Sequence, residues 1–374
     1  MYATIATTRL DHIRANLEAV RARVGDRLVL AAVKADAYGH GAVEVSRMIE
    51  RTGCADWLGV ATVPEALALR DAGVRLPALK LSHALTDAEV AACVAADVDL
   101  TVVSADTIDQ VARVAAGLGR TASVHLKVDT GMRRIGCPPA DAPALAARAD
   151  AAGLRLRGLF SHLPVADTPG GRPFTEAQVA LFREVVAAVA SARGPVELAH
   201  LANSGGVLVH PDAWFDLVRP GIMLYGSLPD PATDPTVPLL PALEWTTAVS
   251  FVKRVAAGET VGYGRTWTAP TERWIATLPV GYGDGYSRLL SNRGRVIIGG
   301  RPWPIVGRVC MDQLMVDLGP TTDDAPAAAG DEAVLVGRRG DHEITVQELA
   351  DLMGTIPYEV TCVIAGRVGR RHTP

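Results

Sequence analysis

Short apolar runs recur through the first 225 or so positions of the chain, separated by longer Ala/Arg/Glu-rich stretches. The runs are Leu28–Lys34, Trp57–Thr62, Ala78–Ser82, Leu100–Ser104, Val124–Asp129, Leu156–His162, Val196–His200 and Phe215–Val218. Each predicts a strand, and the stretches between them predict helices, most clearly over Asp106–Gly117 and Thr175–Arg193. Pro64 and Pro143 suit first turns of helices, while Gly73, Gly153 and Gly194 suit helix ends. Eight strand–helix units of about 30 residues are the arithmetic of a (β/α)₈ barrel of TIM type. An open doubly wound sheet would place a glycine fingerprint after its first strand, and Lys34-Ala35-Asp36-Ala37-Tyr38 is not one.

The pattern then changes. The Pro-rich segment from Ser227 to Pro238 cannot be a helix or a central strand. Beyond it, the runs Thr246–Val255, Trp274–Val280, Arg295–Ile298 and Glu332–Val336 are β-branched, short and bounded by Gly and Pro. They predict a mainly-β domain with one late helix, Thr345–Met353, N-capped by Thr345. The expected domains are therefore a barrel over 1–235 and a mainly-β domain over 236–374.

Composition narrows the classes. Of 374 residues, 49% are hydrophobic and only 5% aromatic, so Ala and Val fill the interior, as suits helices packed on parallel strands. The net charge of −4, with no Lys/Arg block, argues against a nucleic-acid partner. Cys54, Cys93, Cys137, Cys310 and Cys362 are odd in number and scattered, so neither a metal site nor a disulfide framework is indicated. The Ala-rich runs are broken by charges, and Met1-Tyr2-Ala3-Thr4-Ile5 lacks the basic-then-apolar start of a signal peptide. The expectation is a soluble cytoplasmic protein with no membrane partner.

Lys34 is one of four lysines among 37 basic residues. Arginine carries positive charge elsewhere, so a lysine at the polar end of an apolar run is either a nucleophilic amine or a snorkelling side chain. Its position is suggestive, because barrels place their chemistry at strand C-termini. Lys34, Arg134, His162, the Asn203-Ser204-Gly205-Gly206 segment and Arg219-Pro220-Gly221 follow five different predicted strands and converge on one rim. Ser204, Gly205-Gly206 and Gly221-Ile222 offer a hydroxyl and backbone N–H groups to a phosphate, and Tyr38 could add a phenol. A lysine beside a phosphate site points to pyridoxal phosphate held as a Schiff base; an aldolase-type lysine is the alternative, against which the second domain weighs. Asp129-Thr130-Gly131 has no second copy and is not an aspartic-protease signature. His40 and His210 read as surface or capping residues, and Gly281-Tyr282-Gly283-Asp284-Gly285 as a loop.

Together these segments resemble the alanine racemase family over essentially the whole chain. The motifs are Ala32–Gly41, Lys127–Met132 with Arg134, Ala202-Asn203-Ser204, Val218–Gly226, Gly262-Tyr263-Gly264, Gly281–Gly285 and Cys310-Met311-Asp312. The resemblance implies a pyridoxal-phosphate-dependent racemase that interconverts L- and D-alanine and supplies D-alanine for peptidoglycan. It implies that Lys34 carries the cofactor and serves the D-isomer, while Tyr263 serves the L-isomer from the partner subunit of a head-to-tail homodimer with shared active sites. Tyr38, Asn203, Ser204, Gly221, Ile222 and Tyr358 would bind the cofactor, mainly at its phosphate. Arg219 would face the pyridine nitrogen, and His162 would link Arg219 to Tyr263. Arg134 and the Met311 N–H would hold the substrate carboxylate. Lys127, often carbamylated in the family, would position Arg134; Tyr282 would line the entrance, and Cys310 and Asp312 would support the site. Gly262 and Arg133 depart from the family pattern and bear on substrate fit. An arginine cannot accept a proton, so the ring nitrogen opposite Arg219 stays unprotonated and transamination is suppressed; Arg219→Glu should raise that side reaction. The rivals are a broad-specificity amino-acid racemase and a fold-related pyridoxal-dependent decarboxylase, the latter expected to carry a carboxylate where Arg219 stands.

Overall fold

The structure, a computed structural model, describes residues 3–322 and 324–374. Met1 and Tyr2, part of the segment read for a leader, lie outside the described residues. The chain divides into two compact units, His12–Leu240 and a second made of the residues up to Asp11 with Pro241–Pro374.

The first unit is a parallel eight-stranded barrel. Its strands are β1 (Leu28–Ala32), β2 (Trp57–Val60), β3 (Ala78–Lys80), β4 (Asp99–Val102), β5 (Ser123–Lys127), β6 (Arg155–Phe160), β7 (Leu198–His200) and β8 (Leu217–Val218). They pair in sequence order, and β1 also pairs with β8. Backbone bonds from Asp216 N to Ala199 O (3.0 Å) and Arg219 N to Ala202 O (2.9 Å) join the segments around β7 and β8. All eight predicted strands are present; the last two, Leu198–His200 and Leu217–Val218, start later than predicted, and the other six end earlier. The reason is local: Thr62 and Ser104 leave the ladder to cap helices Val63–Asp71 and Ala105–Gly117, each accepting the N–H three residues on. Leu30, Trp57, Leu79, Leu198 and Leu217 form an apolar layer. Period-two alternation puts Arg219 on the face of Leu217, His200 on that of Leu198, and Lys127 on that of His125.

The second unit is mainly β, with a ten-stranded sheet. Its core includes Trp245, Tyr286, Val296, Ile305, Val316 and Leu335. Ile5–Arg9, a strand the sequence pattern did not predict, pairs antiparallel with Leu243–Ala248 and parallel with Gly369–Thr373. The initial segment thus sits with the mainly-β unit, whereas the sequence-based division at 235/236 assigns it to the barrel. The predicted strand Thr246–Val255 is two strands, Leu243–Ala248 and Phe251–Val255, because the chain changes partner between them. The first pairs with Glu332–Arg339 and the second with Arg273–Leu278. Helix Val346–Met353 starts after Thr345, whose hydroxyl accepts from Glu348 N at 3.0 Å. Among the described residues no helix is long and apolar enough to cross a membrane.

Candidate active site

Lys34 stands just beyond β1, half-buried, and the chain after it turns the wrong way. Ala35, Asp36, Ala37 and Tyr38 all have φ between 51° and 56°, a left-handed turn containing no glycine. Such a conformation costs about 1–2 kcal/mol for each L-residue. Surrounding groups hold it. Ala35 N donates to Glu65 Oε1 (2.8 Å), Ala42 N to Asp36 Oδ1 (2.8 Å), and Ala37 N to Val33 O (2.8 Å). His40 Nδ1 lies 3.0 Å from the carbonyls of both Ala37 and Tyr38. Beneath the turn, Tyr225 packs against Tyr38 and His40, with its hydroxyl donated to Ala32 O at 2.8 Å. Strain at this level, fixed by so many partners, marks a segment shaped for a task.

That shape brings the Tyr38 phenol to Gly221. A Cβ at position 221 would lie 2.4 Å from Tyr38 Oη, so only glycine admits this approach. Ser204 Oγ accepts the Gly221 N–H at 2.9 Å, which leaves the serine hydroxyl proton to be donated elsewhere. Asn203 caps helix Ser204–Val209 by accepting Gly206 N at 3.0 Å and is anchored through Leu163 O at 2.9 Å. Ile222 is buried beside them. Tyr38, Ser204 and Gly221 therefore meet in one small polar cradle.

The rim is strongly cationic. Arg219 is buried, donates to Ser161 O (2.6 Å) and Leu201 O (3.0 Å), and contacts His200 Nδ1 at 2.8 Å and His162 Nδ1 at 3.4 Å. Burial lowers its pKa to about 9, which still leaves a cation at neutral pH. Lys127, ending β5, lies over the Phe160 ring at 5.1 Å, and Arg219 lies over the same ring at 5.4 Å. Burial first, then the charges of Arg219, Arg134 and Lys34, push the Lys127 pKa down to about 7. His162 is driven well below its ordinary value by desolvation and the same cations. Lys34, Lys127, Arg134, His162 and Arg219 thus share one electrostatic neighbourhood, with Arg134 on its exposed side.

Tyr263, Tyr282, Cys310, Met311, Asp312 and Tyr358 belong to the mainly-β unit. Tyr263 is 74% exposed and lines a cavity of about 800 Å³ together with Lys253, Arg265, Cys310 and Met315. Tyr282 N donates to Cys310 O (3.0 Å), joining two motifs that are distant in sequence. Arg367, which sequence reasoning missed, ties them further. It donates to Asp284 (2.8 and 3.0 Å), to Asp312 Oδ1 (2.8 Å) and to Met311 O (3.3 Å). Tyr358 lies on helix Pro357–Cys362. Glu65 was also missed: its capping-box position was readable from Thr62-x-x-Glu65, its grip on Ala35 was not. His40 and His210 are buried rather than on the surface; both serve carbonyls, His210 Nε2 at 3.1 Å from Ala166 O. The Gly281–Gly285 loop contains a single 3₁₀ turn, Tyr282–Asp284.

A parallel (β/α)₈ barrel with a lysine and a polar cradle at the ends of its strands, accompanied by a separate mainly-β unit, defines the class: a two-unit barrel protein whose candidate chemistry lies at the C-terminal rim. Comparison with known proteins names the group. The chain matches the alanine racemase N-terminal domain over residues 8–229 and the alanine racemase C-terminal domain over residues 242–372. The chain belongs to the alanine racemase family, whose members depend on pyridoxal phosphate. It is 51% identical to the alanine racemase of Cutibacterium acnes, over 96% of this chain and 95% of that protein. The crystal structure of alanine racemase from D-cycloserine-producing Streptomyces lavendulae superposes with a TM-score of 0.93 at 37% identity, covering 100% of this chain and 98% of that one. The alanine racemase of Clostridium difficile 630 gives the same TM-score at 33% identity, covering 100% and 96%.

Proposed function

We propose that this protein is an alanine racemase that interconverts L- and D-alanine with pyridoxal phosphate, working as a homodimer with shared active sites. The observation that carries the reading is full-length likeness: both units, not the barrel alone, match alanine racemases. The rim suits the cofactor. A cradle that a Cβ at Gly221 would fill, a buried serine hydroxyl and a phenol can take a phosphate, with a lysine two residues beyond β1 to take an aldehyde. The five cysteines, none joined in a disulfide among the described residues, agree with a reducing, cytoplasmic setting, where D-alanine would feed peptidoglycan.

When bound, pyridoxal phosphate supplies the electron-withdrawing ring that makes the substrate Cα–H acidic. The chain's own groups then do the rest. Ser204, Tyr38 and Tyr358 would hold the phosphate, with Asn203, Gly221 and Ile222 shaping the cradle. Arg219 would face the ring nitrogen; as a donor-only group it would offer hydrogen bonds and take no proton. That favours a racemase over a decarboxylase, which would place a carboxylate there. Arg134 and the Met311 N–H hold the substrate carboxylate. Lys34 Nζ takes or returns the Cα proton on one face and Tyr263 Oη does so on the other, so inversion needs little motion. The exposed Tyr263 and Met311 suit a role completed by a second copy. His162 carries the influence of Arg219 toward Tyr263. Lys127, neutral in good part near pH 7, has the free amine that carbon dioxide needs, and a carbamate there would balance three neighbouring cations.

The test is complementation. Lys34→Ala and Tyr263→Ala are each made, mixed under conditions where subunits exchange, and followed by polarimetry on L-alanine. Each alone is inactive; the mixture recovers part of the activity. No recovery despite measured exchange contradicts shared sites, and full activity of either single variant contradicts its base.

A further inference from the structure

A buried hydrogen-bonded chain runs through the barrel behind Arg219. Arg219 Nη1 lies 2.8 Å from His200 Nδ1, His200 Nε2 lies 2.9 Å from His125 Nδ1, and His125 Nε2 lies 3.2 Å from Asp99 Oδ2. Both imidazoles are fully buried, and the two end residues are 6% exposed. The ends dictate the middle. A guanidinium only donates and a carboxylate only accepts. His200 Nδ1 must therefore accept, so its single proton sits on Nε2 and is donated to His125 Nδ1. The His125 proton then sits on Nε2 and is donated to Asp99. Every donor points from Arg219 toward Asp99, and both rings are neutral. A second proton on either ring would set donor against donor in a buried contact. Burial and the Arg219 charge also hold His200 well below its ordinary pKa.

The fold is fitted around this chain. Phe160 stacks on His200 with ring centroids 4.8 Å apart and planes 1° from parallel, and Trp57 meets His125 edge-on at 5.6 Å. Arg157 pairs with Asp99 at 3.1 Å while lying over Trp57. A Cβ at position 158 would lie 2.1 Å from His125 Nδ1, so Gly158 is what leaves room for the ring. Ser161 O and Leu201 O take further donors of Arg219, fixing the guanidinium plane.

We propose that Asp99, His125 and His200 are positioning residues for racemisation: they set the rotation of the Arg219 guanidinium, aim it at the ring nitrogen of bound pyridoxal phosphate, and supply its counter-charge from the far end of the chain. The proposal rests on the reading that Arg219 faces that ring. Outer-shell partners of metal ligands change function by about 10–100-fold, and the same order is expected for partners that orient a cofactor-facing guanidinium.

Neutron diffraction from deuterated crystals of the holoenzyme tests it without any substitution. The expected map shows one deuteron on Nε2 of both His125 and His200 and none on either Nδ1; a deuteron on Nδ1 of either ring overturns the proposal. Two variants read the function. In Asp99→Leu, kcat falls about tenfold with KM changed less than about twofold, and the visible absorbance of the bound cofactor shifts; Asp99→Asn, which still accepts a hydrogen bond, recovers most of both. A folded Asp99→Leu with unchanged spectrum and kcat overturns the proposal. Failure of the protein to take up pyridoxal phosphate at all is a different result: it removes the parent reading, and the deuteron positions are still measured.

Discussion

Trp245 and Tyr286 anchor a large hydrophobic cluster in the mainly-β unit whose other fully buried members are aliphatic, although that unit also buries Asp284 and Asp317, whereas the barrel closes around Asp99, His125, Lys127, His200 and Arg219 as well as its leucines. The two interiors are held together differently. Apolar burial is non-directional and worth roughly 25 cal/mol per Å². A buried polar chain contributes little net stability, but each member left without its partner is costly. The mainly-β unit should therefore lose stability on truncation in proportion to what is removed. The barrel should lose function, or gain stability, when its charges are replaced.

Trp245→Ala gives the largest stability loss, about 3–5 kcal/mol, read from the denaturant midpoint at unchanged slope. A loss below about 1 kcal/mol would mean the mainly-β interior is not the load it looks to be. In the barrel, Lys127→Met has the opposite sign in cofactor-free protein kept free of bicarbonate. The unfolded lysine titrates at its ordinary 10.5 and the folded one at about 7. Between those values the unfolded chain binds the extra proton, so wild-type stability rises with pH across that window, and the full penalty is present below about 7. The variant is expected to be more stable by roughly 2–4 kcal/mol below about pH 7, the gain fading toward pH 10.5. A pH-independent difference would show that Lys127 keeps its charge when folded. Gly158→Ala, which drives a methyl into His125, is expected to cost about 1–3 kcal/mol and to disturb the cofactor spectrum as well. Thr62→Ala is the smallest change, about 1 kcal/mol, from loss of the capping box beside the Lys34 turn.

The barrel was legible because buried parallel strands are near-continuous apolar runs that local pattern can find. The rim residues were legible for the same reason: strand ends mark the rim. Ile5–Arg9 was not, since its partners lie at Thr246 and Gly369 and no local signal carries that pairing. The turn after Lys34 was hidden because Ala-Asp-Ala-Tyr favours a right-handed helix; the left hand is imposed by Glu65, Asp36, His40 and Tyr225. His125 and His200 sat inside predicted strands, and a histidine on the inner face of an apolar run was the available signal. Arg367 had no pattern around it, because its partners come from two distant segments, Asp284 and the adjacent pair Met311 and Asp312.

The central claim is that the amine at position 34 carries pyridoxal phosphate. The most direct measurement is hydride reduction of the purified holoenzyme, followed by proteolysis and mass spectrometry of the labelled peptide. The account predicts the pyridoxyl group on Lys34 alone, with Lys80, Lys127 and Lys253 unmodified. Label on any of those three instead, or no label on a folded protein supplied with the cofactor, would contradict it.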